Sequence, residues 1–224
     1  MYKLAIFDLD GTLLNTLEDL ANACNYALNK MGLPTHEVEK YKTFVGGGRY
    51  KLISGILPEE SRNEETINKT LVLFDEYYES HMIDMTKPYD GICEMLEDIT
   101  NNGVEVAIVS NKPHEFTIDV VEKFFEKTFK IVYGHRVGYP TKPEPESVLQ
   151  IINEYKLDKN DCVYIGDSNV DIKTAINANI KSIGVAWGFR GREELENEGA
   201  DFIVETSEEL KSVILKQKVA LGES

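Results

Sequence analysis

Two aspartates one residue apart, Asp8 and Asp10, close a short apolar run and are followed at once by Gly11 and Thr12. Alternate residues of an extended chain point the same way, so both carboxylates can face one pocket. Gly11 permits a tight turn away from the strand. An Asp-Gly turn is a common way to end a strand, but it does not explain two like charges placed there. A second pair follows Val163–Ile165 in the segment Gly166-Asp167-Ser168-Asn169-Val170-Asp171. An aspartate N-capping the next helix would account for one of these more readily than for both. If the two pairs share one edge, four carboxylates converge, a density that is costly unless a cation neutralises it. An all-oxygen donor set with no paired His or Cys suits Mg²⁺ rather than zinc or copper.

Other signals are weaker singly. Ser110, with Asn111 and Lys112, follows the run Val104–Val109 and reads as well as a cap for the helix behind it. Lys142 lies in Pro140-Thr141-Lys142-Pro143, where the following proline holds it extended and so aims it; a solvated lysine is the alternative. His114 reads as a surface histidine. In Val45–Arg49, glycines at 46, 47 and 48 allow backbone to approach a small ligand, and Arg49 can grip a carboxylate in bidentate fashion. Gly47 and Arg49 are therefore candidates for specificity, although a flexible hinge with a solvated arginine fits equally.

The elements that must hold these groups are legible as short apolar runs: Leu4–Phe7, 104–109, 130–133, 163–165, 183–186 and 202–204. Continuous apolar runs of this length read as strands buried on both faces. Helical patterns lie between most of them, over 90–102, 115–127 and 146–155, which predicts βαβ units and a parallel sheet. From Thr16 to Met85 the alternation stops. Leu17, Leu20, Ala21, Cys24, Ala27, Leu28 and Met31 recur at helical spacing, with Gly32 as a stop, and Leu71, Phe74, Tyr78 and Met82 repeat the pattern. A helical subdomain inserted after the first strand is the economical reading, with Pro88-Tyr89-Asp90-Gly91 marking the return. The tail after Lys216 reads as dispensable.

The 224 residues carry 39 acidic and 24 basic side chains, a net charge of −15. That balance argues against nucleic acid, whose binding rests on a surplus of Lys and Arg. It also repels anionic substrates, so a site for one needs positive charge of its own. No run approaches the roughly 20 apolar residues of a membrane helix, and the opening residues carry no signal-peptide pattern. Three widely spaced cysteines, Cys24, Cys93 and Cys162, predict free thiols and a cytoplasmic chain.

Taken in order, Asp8-x-Asp10-Gly11-Thr12, Ser110, Lys142 and Gly166-Asp167-x-x-x-Asp171 resemble the signature of the haloacid dehalogenase superfamily. The resemblance implies an α/β fold: a Rossmann-like parallel sheet core with helices on both faces (1–15 and 86–224) and an inserted all-helical cap (16–85). It implies that Asp8 attacks phosphorus and that Asp10 protonates the leaving alcohol, then activates water. Mg²⁺ would be held by Asp8, Asp167 and the backbone carbonyl of Asp10, with Asp171 orienting its water shell. Ser110 and Lys142 would bind the transferring phosphoryl group, joined by the Asn111 backbone N–H.

Closer similarity points to the phosphoglycolate phosphatase branch, through 10–16, 19–21, 25–28, Val45–Gly48, Ser110–Pro113 and Trp187–Arg190. Asn179 departs from it by standing where glycine is usual, and 135–140 lacks the short acidic-glycine pattern often seen there. The expected partner is a small phosphorylated metabolite, with no nucleic acid or membrane, and the expected state is monomer or homodimer. Pyrophosphate, a nucleoside monophosphate or a sugar phosphate are alternative substrates. A β-phosphoglucomutase-like isomerase, a dehalogenase and an inactive scaffold are more distant alternatives.

Overall fold

The computed structural model describes residues 1–216, so the tail expected to be dispensable lies outside the described residues. The chain opens with β1 (Leu4–Phe7), passes a two-residue strand β2 (Leu14–Asn15) and enters helices α1 (Leu17–Lys30), α2 (Arg49–Ile56) and α3 (Glu64–His81). It returns through β3 (Lys87–Pro88) and then alternates as α4 (Ile92–Asn101), β4 (Glu105–Pro113), α5 (His114–Phe125), β5 (Ile131–His135), α6 (Glu146–Tyr155), β6 (Cys162–Gly166), α7 (Asn169–Ala178), β7 (Lys181–Val185), α8 (Gly191–Glu198), β8 (Phe202–Val204) and α9 (Ser207–Leu215).

Six strands form a parallel sheet in the order β5-β4-β1-β6-β7-β8. All four β1 residues are fully buried, and they divide by alternation between two cores. Ala5 and Phe7 pack with Ile92 and Ile99 of α4 and Ile214 of α9. Leu4 and Ile6 face the other way, onto Val148 and Ile151 of α6 and Ala175 of α7. This is the α/β sandwich expected from the apolar runs. Chain order departs in opposite directions from β1, toward β4 on one side and β6 on the other. Such a switch point opens a crevice at the carboxyl ends of the strands.

The observed strands match the apolar runs with one informative difference. β4 continues past Val109 through Ser110, Asn111 and Lys112 to Pro113, with a register shift against β5 between Val109 and Pro113. Polar residues hid this extension, because apolar patterning marks only what is buried in a core.

The connection to the helical segment is a clasp. β2 and β3 pair antiparallel, so the chain leaves and re-enters side by side. The Asp19 carboxylate, buried in the first turn of α1, accepts the backbone N–H groups of Met85 and Thr86 and the Thr86 hydroxyl, the last at 2.7 Å. Within the segment, α1 packs on α3 through Tyr26 and Tyr77, stacked at 4.6 Å. Asn179 ends α7 in the left-handed region at φ 56°. Asparagine tolerates that conformation best after glycine, which accounts for the exchange noted in the sequence.

Candidate active site

Asp8 follows the last residue of β1, and its N–H still bonds the carbonyl of Ile165 in β6 at 2.8 Å. Its backbone is therefore fixed by the sheet while its side chain enters the crevice. Lys142 reaches it from the loop before α6, with Nζ 2.6 Å from Asp8 Oδ1 and 2.7 Å from Asp171 Oδ1. Burial opposes a charge on Lys142, but Asp171 and Asp8 outweigh it and hold the ammonium well above its ordinary pKa. The loop is tied down by Asn111, whose side-chain oxygen accepts the Lys142 N–H at 2.8 Å and whose amide donates to the Lys142 carbonyl at 3.1 Å. Lys142 is thus an aimed side chain, as its place before proline suggested.

Asp171 does two jobs at once. Oδ2 accepts the Ser168 N–H at 3.1 Å and its hydroxyl at 2.6 Å, closing a capping box on α7, while Oδ1 meets Lys142. One carboxylate therefore both caps α7 and pairs with Lys142 in the crevice. Asp167 is buried beside them, its Oδ2 accepting the Phe189 N–H at 2.7 Å. The turn after Asp10 passes so close that Gly11, at φ 90°, has no room for a side chain: a Cβ there would collide with the Asp167 carboxylate.

Carboxylate oxygens of Asp8, Asp167 and Asp171 lie within 4.8 Å of one another, and all three residues are buried. Burial pushes Asp8 up to about 7, with Asp171 and Asp10 adding to the effect and Lys142 opposing it. Asp167 is driven well above the carboxylate range, by burial first and by Asp171 and Asp8 next. The cluster holds more negative charge than Lys142 offsets, in an all-oxygen setting. Those residues fit a small divalent cation such as Mg²⁺.

The Asp10 carboxylate turns away from this triad. Lys112 Nζ lies 3.1 Å from Asp10 Oδ1 and 3.4 Å from Oδ2, and donates at 2.6 Å to the hydroxyl of Tyr78 on α3. Burial opposes the Lys112 charge, yet Asp10 and Tyr78 raise its pKa overall. The sequence showed Lys112 only as a neighbour of Ser110, and Tyr78 only as one apolar beat of a helix. Lys112 joins the site because β4 runs on past Ser110 into the crevice, and Tyr78 because α3 covers it.

Ser110 does not cap α5; its Oγ accepts the Lys112 N–H at 3.2 Å and it lines the crevice. The cavity beneath the helical segment holds about 50 Å³ and is bounded by Asp8, Asp10, Ser110, Lys142 and, from above, Arg49 and Phe74. Gly46 and Gly48 line it, whereas Gly47 packs toward Lys51 instead. Arg49 reaches the cavity while ion-paired with Asp75 of α3. Two further bonds seat the loop: Asn111 donates to the Gly46 carbonyl at 3.0 Å and Arg190 to the Val45 carbonyl at 2.9 Å. His114 corrects the expectation of a surface residue. It is half-buried, and Nδ1 accepts the Gly134 N–H at 3.3 Å, away from the cavity lining.

Comparison with known proteins agrees with this geometry. The model of the haloacid dehalogenase-like hydrolase family matches residues 5–185. The phosphoglycolate phosphatase of Vibrio cholerae is 31% identical, over 95% of this chain and 97% of its own. That of Vibrio parahaemolyticus is 30% identical, over 95% and 96%. A crystal structure of a provisionally named phosphoglycolate phosphatase from Lactobacillus delbrueckii subsp. bulgaricus superposes with a TM-score of 0.90 at 35% identity, covering 95% of this chain and 98% of that one. The chain belongs to the haloacid dehalogenase-like hydrolase family.

Proposed function

We propose that the chain is a Mg²⁺-dependent phosphatase of small phosphate monoesters, with 2-phosphoglycolate as its substrate, acting through a phosphoaspartate on Asp8. The observation that carries this is the placement of Asp8: a buried carboxylate at a strand end, in contact with Lys142, with Asp10 on the same turn. An Asp8 oxygen attacks phosphorus, and the P–O bond to the alcohol breaks. Asp10 gives the departing oxygen a proton. Water then loses a proton to Asp10 and attacks the same phosphorus, breaking its bond to the Asp8 oxygen, which frees phosphate, returns Asp8 as a carboxylate and leaves Asp10 protonated as it began. Lys142 and the Ser110 hydroxyl face the phosphoryl oxygens and hold their charge through both steps. Asp8, Asp167 and the Asp10 carbonyl would hold the Mg²⁺, whose contribution when bound is to screen the carboxylates from the anionic substrate. With Lys142 and Ser168 occupying its oxygens, Asp171 serves to orient rather than to ligate.

Three observations support the choice of substrate. The cavity of about 50 Å³ has room for a few water-sized groups, at roughly 10–15 Å³ each, which favours a small ester over a nucleotide. Arg49 stands at its upper wall, where it would meet the carboxylate of 2-phosphoglycolate in exchange for Asp75. Among the described residues no histidine or carboxylate of the helical segment lines the cavity, so a mutase lacks its second base there. The relatives' names point the same way. The three thiols are free, in keeping with a cytoplasmic setting, and no helix of the described residues is long and apolar enough to cross a membrane.

The test is a panel of about twenty small phosphate esters, ranked by kcat/KM with and without Mg²⁺. Expected are 2-phosphoglycolate at the head, dependence on the metal, and phosphate release without a sugar bisphosphate activator. Full turnover by Asp8→Asn would sink the nucleophile assignment, and a nucleotide at the head would sink the substrate.

A further inference from the structure

The proton carrier is not held by the sheet domain alone. The Asp10 carboxylate is contacted by Lys112, and Lys112 is contacted in turn by Tyr78, which belongs to the helical segment. Lys112 is buried, so its ammonium cannot find partners in bulk water and depends on these two. Its Nζ also sits 4.7 Å from the centre of the Tyr78 ring, so hydroxyl and ring face share in fixing it. The Tyr78 ring is itself clamped, stacked on Phe74 at 5.1 Å and edge-on to Phe116 of α5 at 5.6 Å. A fixed phenol therefore sets where the ammonium stands, and the ammonium, touching both carboxylate oxygens, sets the orientation of Asp10.

The geometry points to Tyr78 as a positioning residue for the acid–base step: acting through Lys112, it puts the Asp10 carboxylate in place only while the helical segment is seated on the sheet domain. This rests on the reading of Asp10 as proton carrier. The structural consequence is that the element covering the substrate also completes the proton-transfer apparatus, so an open, water-filled crevice holds a poorly directed Asp10.

A leaving-group comparison tests this. The alcohol of 2-phosphoglycolate departs as a strong base and needs a proton, whereas acetyl phosphate, of similar size, releases acetate, which does not. Tyr78→Phe keeps the clamped ring and removes only the hydroxyl. It is expected to lower kcat/KM on 2-phosphoglycolate about tenfold and on acetyl phosphate less than about twofold, a split between substrates that a mere loss of stability would not produce. An equal loss on both substrates, or no loss on either, overturns the role of Tyr78. Asp10→Asn run beside it separates the two readings. If that variant loses equally on both substrates, the assignment of Asp10 itself fails; if it discriminates between them and Tyr78→Phe does not, only the relay through Lys112 fails.

Discussion

Lys142 Nζ lies 2.6 Å from Asp8 Oδ1, although 134 positions separate the two residues. The lysine answers two buried carboxylates at once, because Asp171 is equally near. Its removal leaves Asp8 and Asp171 with no cation, which a bound Mg²⁺ offsets only in part. Lys142→Met is expected to lower turnover by about 10²-fold or more, and to destabilise the metal-free protein by about 3 kcal/mol. Steady-state rates and denaturant melts with and without Mg²⁺ check both parts. Turnover within a few-fold of the parent would remove Lys142 from the site.

The metal should report on the protonation of the cluster. Asp8 is raised from 3.8 to about 7, so between those values the folded, metal-free chain carries a proton there that the unfolded chain has lost. Ionising Asp8 in the fold is therefore unfavourable, and metal-free stability falls as pH climbs through that window. Mg²⁺ needs the ionised form, so its binding expels a proton below pH 7 and strengthens with pH. Asp167, raised in the same direction, adds to the trend. Thermal melts are expected to show a larger Mg²⁺ shift at pH 8 than at pH 6, and an equal shift at both would contradict the linkage.

Gly11 offers a sharper probe of the same centre. Its backbone passes against the Asp167 carboxylate at a positive φ, so Gly11→Ala is both strained and in collision. Mg²⁺ titrations of the rate should show at least about a tenfold weaker apparent affinity, the size expected when a ligand is displaced from its set position. An unshifted titration curve would mean that the turn can move aside at no cost.

Arg49 tests the substrate. Arg49→Ala should raise KM for 2-phosphoglycolate roughly tenfold while leaving that for acetyl phosphate, which has no carboxylate, nearly unchanged. No change for the first substrate would confine Arg49 to its pair with Asp75.

Asp19 holds the two ends of the inserted segment together through bonds to Met85 and Thr86. Asp19→Ala orphans these donors in a buried place and should cost about 2 kcal/mol. A denaturation midpoint equal to that of the parent would show the clasp to be idle.

Much of this arrangement is written locally in the chain. Leu4–Phe7 is apolar without interruption because β1 is buried on both faces, and such a run specifies a central strand whatever surrounds it. Asp8, Asp10, Asp167 and Asp171 announce themselves as charges at strand ends, where apolar patterning stops abruptly. Gly32 and the spacing of Leu17 to Met31 mark a helix and its end through backbone chemistry alone. None of these needs knowledge of a distant residue.

Contacts between distant residues are another matter. Tyr78 is indistinguishable in the sequence from a core aromatic at helical spacing; only the seating of α3 over the crevice turns its hydroxyl toward Lys112. Lys112 looked like a polar residue past the end of a strand, and the β4–β5 pairing made it part of that strand. Gly46 and Gly48, not Gly47, face the cavity, because which glycine points inward depends on the φ angles of the loop and on what packs against it. The sequence by itself determined which side chains carry charge and which segments must be buried, since both follow from residue type and spacing. Tertiary structure decided which charges meet, because in a buried crevice a displacement of one or two ångströms separates a hydrogen bond from an uncompensated charge.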